Sequence, residues 1–181
     1  DAIVIKARKL GRVRSQSIML SVGINPDGHR EILGIKIGDS ETYEGWHEYC
    51  SWLKSRGIRG VDLVVSDCHS GLVRAIQEQF QGASWQRCQT HLTRNILSAV
   101  PKHLQPEIHS RLRSIFTASD LETARILLNA TLESYEDQVP KAMETLENGF
   151  DDAVAVLALP ERYRRKLRTT NMVERLNQEI R

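Results

Sequence analysis

The first part of the chain alternates between apolar and polar residues with the period of a β-strand. This alternation predicts strands over residues 2–8, 17–24 and 30–37. Between the second and third of these, the segment Asn25-Pro26-Asp27-Gly28 has proline and glycine where tight turns favour them. We therefore expect three antiparallel strands joined by short turns.

The pattern then changes to the period of a helix. Apolar residues at helical spacing predict a helix over residues 42–56, with Gly57 as its C-cap. A near-continuous apolar run over 61–66 predicts a strand buried on both faces. A helix over 71–80 and a short fifth strand over 82–87 follow. This order of elements indicates a mixed, five-stranded α/β sheet.

The remainder of the sequence is helical in pattern. From residue 88 to about 166 no further strand is predicted, and prolines separate helical stretches at Glu107–Phe116, Leu121–Tyr135 and Lys141–Leu146. A last amphipathic helix is predicted from Asn171 to Arg181. We therefore expect about eighty residues of helix to interrupt the sheet domain before its closing helix.

Composition narrows the class of protein. The 40% hydrophobic and 27% charged residues are ordinary for a soluble globular protein, and no apolar run approaches the ~18 residues of a membrane helix. The three cysteines, Cys50, Cys68 and Cys88, have no disulfide-framework spacing, which favours a reducing compartment. The chain opens on Asp1 with neither an initiator methionine nor a signal-peptide pattern, so we expect a domain of a longer protein.

Positive charge is concentrated near the C-terminus, although the net charge is only +2. Residues 161–181 contain seven basic and three acidic side chains. Such a cluster is typical of a phosphate-binding surface, and equally of a solvated basic helix face.

Three separated carboxylates, Asp1, Asp67 and Glu174, are the candidate catalytic and metal-binding residues. Asp1 opens the first predicted strand, Asp67 follows the apolar strand, and Glu174 lies in the first turn of the last helix. Carboxylate oxygens are the ligands that Mg²⁺ prefers, and a two-metal site of this kind catalyses in-line displacement at phosphorus.

Each carboxylate also has a structural interpretation that the pattern alone leaves open. Asp67 is placed to cap the following helix, and Glu174 completes a capping box with Asn171 as the cap. Asp1 is a terminal residue of the kind that is usually frayed and solvated. If the three do converge, their mutual repulsion would raise their pKa values until a metal binds.

The segment Cys88-Gln89-Thr90-His91 raises the question of zinc. A single C-x-x-H pair is half of a usual zinc ligand set, and no second pair with suitable spacing follows it. The alternatives are support of an active site and a buried, reduced cysteine beside a hydrogen-bonded histidine.

The ordered set of motifs resembles the catalytic core of mutator-type bacterial insertion-sequence transposases, a family of the ribonuclease H-like DDE transposases. The matching segments are Asp1-Ala2, Trp46 with Leu53-Lys54-Ser55-Arg56-Gly57, the run from Leu63 to Leu72, the run from Trp85 to His91, and the run from Leu167 to Asn177.

This resemblance implies a fold and a set of domains. Residues 1–88 would form the first part of a ribonuclease H-like core, 89–166 a helical insertion, and 167–181 the closing catalytic helix. A DNA-binding region would lie N-terminal to this chain. The resemblance also implies a bacterial enzyme in the cytoplasm, associated with the nucleoid and not with a membrane. It would act as a homo-oligomer on transposon ends and target DNA.

The resemblance further assigns roles to residues. Asp1, Asp67 and Glu174 would hold two Mg²⁺ or Mn²⁺ ions for strand nicking and then 3′-hydroxyl strand transfer. The residues expected to support the active site are Cys88, His91 and Asn171. Those expected to contact DNA phosphates are Arg87, Arg94, Arg164, Arg165 and Arg168, because guanidinium groups match phosphate oxygens.

Three other functions remain open at this stage. A nuclease of the same fold would cut nucleic acid without joining ends. A domesticated DNA-binding or assembly module would bind DNA with a dead site. A zinc-stabilised interaction module would depend on the cysteines alone.

Overall fold

The computed structural model describes residues 2–9, 11–38 and 41–180, which form two compact units. One unit joins the segment that ends at Trp85 to the segment that begins at Thr170, and the other is residues 86–169. The predicted division into a catalytic core (1–88 and 167–181) and a helical insertion (89–166) assigns a function to each part, and it stays a prediction. No helix in the described ranges has the length and apolar character needed to cross a membrane.

The first unit contains an antiparallel sheet in the order β1-β2-β3. Its strands are β1 (Ala2–Lys9), β2 (Arg12–Ile24) and β3 (Arg30–Gly38). The predicted turn between β2 and β3 is confirmed: Gly28 adopts a φ of 82° and its N–H donates to the Asn25 carbonyl at 2.8 Å. β2 begins five residues before its predicted start, because its exposed first residues pair with β1 without needing to be buried.

The strand register confirms the predicted alternation of faces. Leu20 lies opposite Ile35, and Ile18 lies between Ile3 and Ile37, so these apolar side chains share one face of the sheet. Met19 is on the other face. Between Ser21 and Val22 the register shifts, because Ser21 pairs with Gly34 and Val22 pairs with Ile32. Leu33 is therefore the extra residue of a β-bulge.

Helix α1 (Tyr43–Ser55) packs on the Met19 face of the sheet. The Thr42 side chain accepts from Gly45 N at 3.3 Å, and Gly57, with a φ of 102°, follows the helix as predicted. The approach to β3 is close: the Tyr49 hydroxyl donates to the Gly34 carbonyl at 2.8 Å. A Cβ on Gly34 would lie 2.5 Å from a Trp52 ring carbon, so only glycine fits there.

The apolar core of this unit also includes helix α2 (Ser70–Gln79), which packs beside α1. Trp46 is buried and Trp52 is half-buried. Outside the core, Glu78 of α2 accepts hydrogen bonds from Tyr43 and, at 2.9 Å, from Arg74 Nε. This exposed polar cluster fastens α1 to α2.

The last two strands, β4 (Leu63–Ser66) and β5 (Ser84–Arg87), form a second, two-stranded sheet. Ser84 N donates to the carbonyl of Asp62 at 2.9 Å, so the strands begin side by side and run parallel. The prediction of a strand buried on both faces was wrong, because only Ser66 of β4 is buried. An apolar run shows that a strand is hydrophobic, but it does not show that other elements cover both of its faces. The single five-stranded sheet stays a prediction.

The second unit is helical, as predicted. Its helices are α3 (Gln89–Ser98), α4 (Gln105–Phe116), α5 (Leu121–Tyr135), α6 (Pro140–Val154), a 3₁₀ helix (Ala155–Ala158) and α7 (Glu161–Arg164). Apolar faces of α3 to α6 form one continuous core. Helix α8 (Asn171–Ile180) returns to the first unit and packs against β2.

Candidate active site

Asp67 directly follows β4 and is half-buried. Its Oδ1 atom accepts from His69 N at 3.2 Å, which orients the carboxylate. The end of the strand is held by its neighbour, because Trp85 Nε1 donates to Ser66 Oγ at 2.9 Å and Ser66 Oγ donates to the Asp67 carbonyl at 2.6 Å. Asp67 thus stands at the C-terminal end of a parallel strand, where open α/β sheets place their ligands.

The structural alternative for Asp67 was wrong. Helix α2 begins at Ser70, and the residue at its N-cap is His69. Asp67 lies two residues before the cap, so its side chain is not the one that caps the helix. The Trp85 indole packs partly buried against the core of the first unit.

Glu174 lies in the first turn of α8 and is half-buried. Its backbone N–H donates to the Thr170 carbonyl at 3.0 Å, so Thr170 occupies the N-cap. The Thr170 hydroxyl lies 3.5 Å from Glu174 Oε1. The predicted capping box centred on Asn171 was therefore wrong, because Asn171 is already helical and Glu174 stands four residues after the cap instead of three.

Asp67 and Glu174 belong to the same compact unit. Asp1 lies outside the described residues, so the complete set of three carboxylates is not described. Within residues 2–9, 11–38 and 41–180, no three His, Cys, Asp or Glu side chains cluster closely enough to hold a metal ion. Both described carboxylates keep partial exposure, and they offer the hard oxygen donors that Mg²⁺ and Mn²⁺ prefer.

The predicted supporting residues fall in both units. Cys88 is buried at the N-cap of α3, and His91 lies half-buried in that helix's first turn. The first amide of α3, Gln89 N, donates to the Arg168 carbonyl at 3.1 Å. Asn171 is exposed at the start of α8, in the first unit.

All five predicted DNA-contacting arginines belong to the helical unit. Arg94 and Arg165 are exposed. Arg164 instead stabilises the helical unit, because its Nε atom donates to the Leu159 carbonyl at 2.8 Å and its Nη1 atom donates to the Ser119 carbonyl at 2.6 Å.

Arg87 and Arg168 are unusual among these arginines. Each is partly buried, and each has an Nε atom that is buried without a hydrogen-bond partner in the described chain. Burial, and then the charges of Arg164 and Arg165, lower the pKa of the Arg168 guanidinium. A positive cluster that is incompletely hydrogen-bonded would be stabilised by a bound anion.

Sequence reasoning missed a buried amide cluster that fixes the region before and within α3. Gln86 Nε2 donates to the Ala153 carbonyl at 2.6 Å, and Gln86 Oε1 accepts from Val156 N at 2.7 Å. Gln89 Nε2 donates to the same Ala153 carbonyl at 2.7 Å. Nothing in the local pattern marks these glutamines, because their partners lie more than sixty residues away along the chain.

Comparison with known sequences identifies the relatives of this chain. The sequence model of the family described as "Transposase, Mutator family" matches residues 1–181. The transposase for insertion sequence element IS256 in transposon Tn4001 of Staphylococcus aureus is 41% identical, over 100% of this chain and 47% of its own length.

Two further relatives show similar coverage. The transposase for IS1081 of Mycobacterium tuberculosis is 38% identical over 100% of this chain and 44% of its own length. The transposase for ISRM5 of Rhizobium meliloti is 38% identical over 100% of this chain and 46% of its own length. The chain thus spans about half the length of the curated relatives it matches.

Proposed function

Because the chain belongs to the Mutator family of transposases, we propose that it forms a catalytic core that cuts DNA strands and joins 3′-hydroxyl ends to target DNA. The observation that supports this proposal most is the family match along the whole chain. It coincides with a carboxylate at the end of β4, Asp67, and another in the first turn of α8, Glu174, in one compact unit. In this proposal the two sheets belong to one ribonuclease H-like fold.

Asp1, Asp67 and Glu174 would hold two divalent ions through their oxygens. Two Mg²⁺ or Mn²⁺ ions, when bound, supply a lowered pKa for the attacking water or 3′-hydroxyl and charge stabilisation for the leaving oxygen. The His69 amide would keep the Asp67 carboxylate oriented, and Thr170 would do the same for Glu174. Such orienting groups typically change metal affinity or activity by about 10–100-fold.

The helical unit would bind the DNA backbone. Arg87 and Arg168 are partly buried in this unit, and guanidinium groups bind phosphate oxygens bidentately. Arg94 and Arg165 are exposed and would add sequence-independent attraction. The substrates would be double-stranded transposon ends and target DNA, held by a homo-oligomer.

The proposal is tested with Glu174→Gln in the full-length protein, which keeps the size of the side chain but removes its charge. We expect strand cleavage to fall by more than about a hundredfold, because even groups that only orient metal ligands cost 10–100-fold. Glu179→Gln is the matched control, since Glu179 is exposed on the same helix and should leave cleavage unchanged. Retained cleavage by the Glu174 variant would refute the assignment.

The same assay separates the alternative functions. DNA cleavage without any joining of ends would indicate a nuclease of this fold. DNA binding that is independent of divalent metal, with no effect of Asp67→Asn on any activity, would indicate a module with a dead site. Stoichiometric zinc in protein purified without chelators would point to a site at Cys88 and His91.

A further inference from the structure

Strand β3 is the outermost strand of the three-stranded sheet. In the described part of the chain it pairs only with β2, so one of its backbone edges is open. Three of its isoleucines are at least half exposed: Ile32 at 58%, Ile35 at 50% and Ile37 at 58%. A long, apolar, open edge is a template for pairing with another strand.

The exposed isoleucines continue an apolar surface that is buried one strand further in. Leu20 of β2 lies opposite Ile35 and is only 1% exposed. The residues that bury this face of β2 therefore do not extend over β3.

Edge strands are commonly protected by charged side chains. The two charged residues that flank the isoleucines of β3 already have partners in the folded chain, because Lys36 contacts Glu48 at 2.6 Å and Glu31 accepts from Asn25 Nδ2 at 2.7 Å. Pairing with a second copy would add to these contacts or replace them.

The bulge at Leu33 gives β3 an unusual internal symmetry. In a regular strand, residues an odd number apart point to opposite faces. Because of the extra residue, Ile32 and Ile35 lie on the same face, and Glu31 and Lys36 share the opposite face. Read from the bulge in either direction, β3 presents isoleucine and then a charged residue, with opposite charges on the two sides.

We propose that β3 pairs antiparallel with β3 of a second copy of this chain, with the symmetry axis at Leu33 and Gly34. In this register Ile32 faces Ile35 of the second copy, and Glu31 faces Lys36 of the second copy. Symmetry makes each contact twice. The pairing extends two three-stranded sheets into one of six strands and satisfies the open backbone edges.

Other registers fit the strand less well. A slip by one residue would bring apolar side chains opposite polar ones on the other face. A register centred on Lys36, five residues away from this one, would place the two lysines directly opposite each other, and like charges facing each other destabilise a sheet. A slip by two residues would bring Ile32 opposite Ile37 but would lose the pairing of Glu31 with Lys36. The Glu31–Lys36 pairing therefore favours the register centred at Leu33 and Gly34. This inference does not depend on the proposed chemistry, so either can fail alone.

The first test is sedimentation equilibrium of the chain without DNA. We expect a monomer–dimer equilibrium that Glu31→Lys weakens by about tenfold or more, because two attractive charge pairs become repulsive. Lys36→Glu should weaken it likewise, and the double variant Glu31→Lys/Lys36→Glu should restore it. Because Lys36→Glu also removes the contact with Glu48, the free energy of unfolding of this variant is measured to separate a loss of folding stability from a loss of dimerisation.

A second pair of variants tests the apolar contact. Ile35→Lys should abolish the dimer, whereas Val13→Lys, at a residue that is 61% exposed on β2 of the same sheet, should leave it unchanged. A chain that stays monomeric up to about millimolar concentration would overturn the proposal. So would a dimer that is insensitive to both Ile35→Lys and Glu31→Lys.

Cross-linking tests the register itself. In a Cys68→Ser background, which removes the exposed native thiol, Ile32→Cys/Ile35→Cys should form disulfide-linked dimers on oxidation. Side chains directly opposite each other have Cβ atoms about 4.5–5.5 Å apart, close enough for a bridge after a small adjustment. Ile32→Cys alone should not cross-link. Efficient cross-linking by the single variant would overturn the proposed register.

Discussion

Gln86 offers a sharp test of how the helical unit is held together. Its side chain is completely buried and makes three hydrogen bonds, to the Ala153 and Arg87 carbonyls and from Val156 N. We consider Gln86→Leu, which keeps the side-chain volume nearly constant and so adds little cavity or strain energy. The comparison is Gln89→Leu, because Gln89 shares the Ala153 carbonyl.

The two variants differ in what they leave unsatisfied. Gln86→Leu removes the oxygen that accepts from the buried Val156 N–H, and an unsatisfied buried donor costs about 1–3 kcal/mol. In Gln89→Leu the Ala153 carbonyl still accepts from Gln86. We therefore expect the free energy of unfolding to fall by about 2 kcal/mol in the first variant and by about 0.5–1 kcal/mol in the second.

Urea unfolding followed by circular dichroism at the helical band measures this difference, with the slope against urea fitted separately for each variant. Gln138→Leu, at an exposed position, is a control that should change stability by less than about 0.5 kcal/mol. Equal losses for Gln86→Leu and Gln89→Leu would refute the reasoning, because they would mean that the unsatisfied Val156 N–H carries no additional cost.

Two further predictions concern titrating groups of the first unit. Hydrogen bonds from Tyr43 and Arg74 lower the pKa of Glu78. These hydrogen bonds therefore stabilise the folded chain at pH values above the unfolded pKa of about 4.3. Their contribution to stability is lost as the pH falls through the lower pKa of the folded chain. The urea midpoint should thus fall more between pH of about 6 and about 3 for the native chain than for Tyr43→Phe, and parallel pH profiles would contradict this. Burial raises the pKa of the Cys50 thiol to about 11, whereas Cys68 is exposed. One thiol should therefore react rapidly with a disulfide reagent in the native chain and three in urea, and rapid native labelling of Cys50 would be inconsistent with its burial.

The sequence predicted those parts of the fold that depend on neighbouring residues. The alternation of β2 and β3 and the turn at residues 25–28 were confirmed, as was the helix Leu121–Tyr135 at both ends. These features arise from side-chain period and turn chemistry, which a short window of sequence contains.

Features that depend on distant residues were missed or misjudged. The burial of β4 depends on what covers it, and the position of the Gln86 amide depends on Ala153 and Val156. The capping residue of α8 was misplaced by one position, since Thr170 and Asn171 are both acceptable caps and local propensity does not choose between them. The local sequence around Asp67 and Glu174 marked them as candidate catalytic residues. That both lie in the same compact unit is a property of the folded chain, which local sequence does not contain.

The discontinuity of the first unit affects how the protein is made. Helix α8 packs on β2, yet the ribosome must first synthesise the 84 residues of the helical unit. At about 5–20 residues per second this separates the two halves of the first unit by roughly 4–17 s. Helices rich in local contacts form within milliseconds, so the helical unit can fold while β2 still waits for α8. The surface that α8 covers is therefore open to chaperones, or to another nascent chain, for several seconds during every round of synthesis.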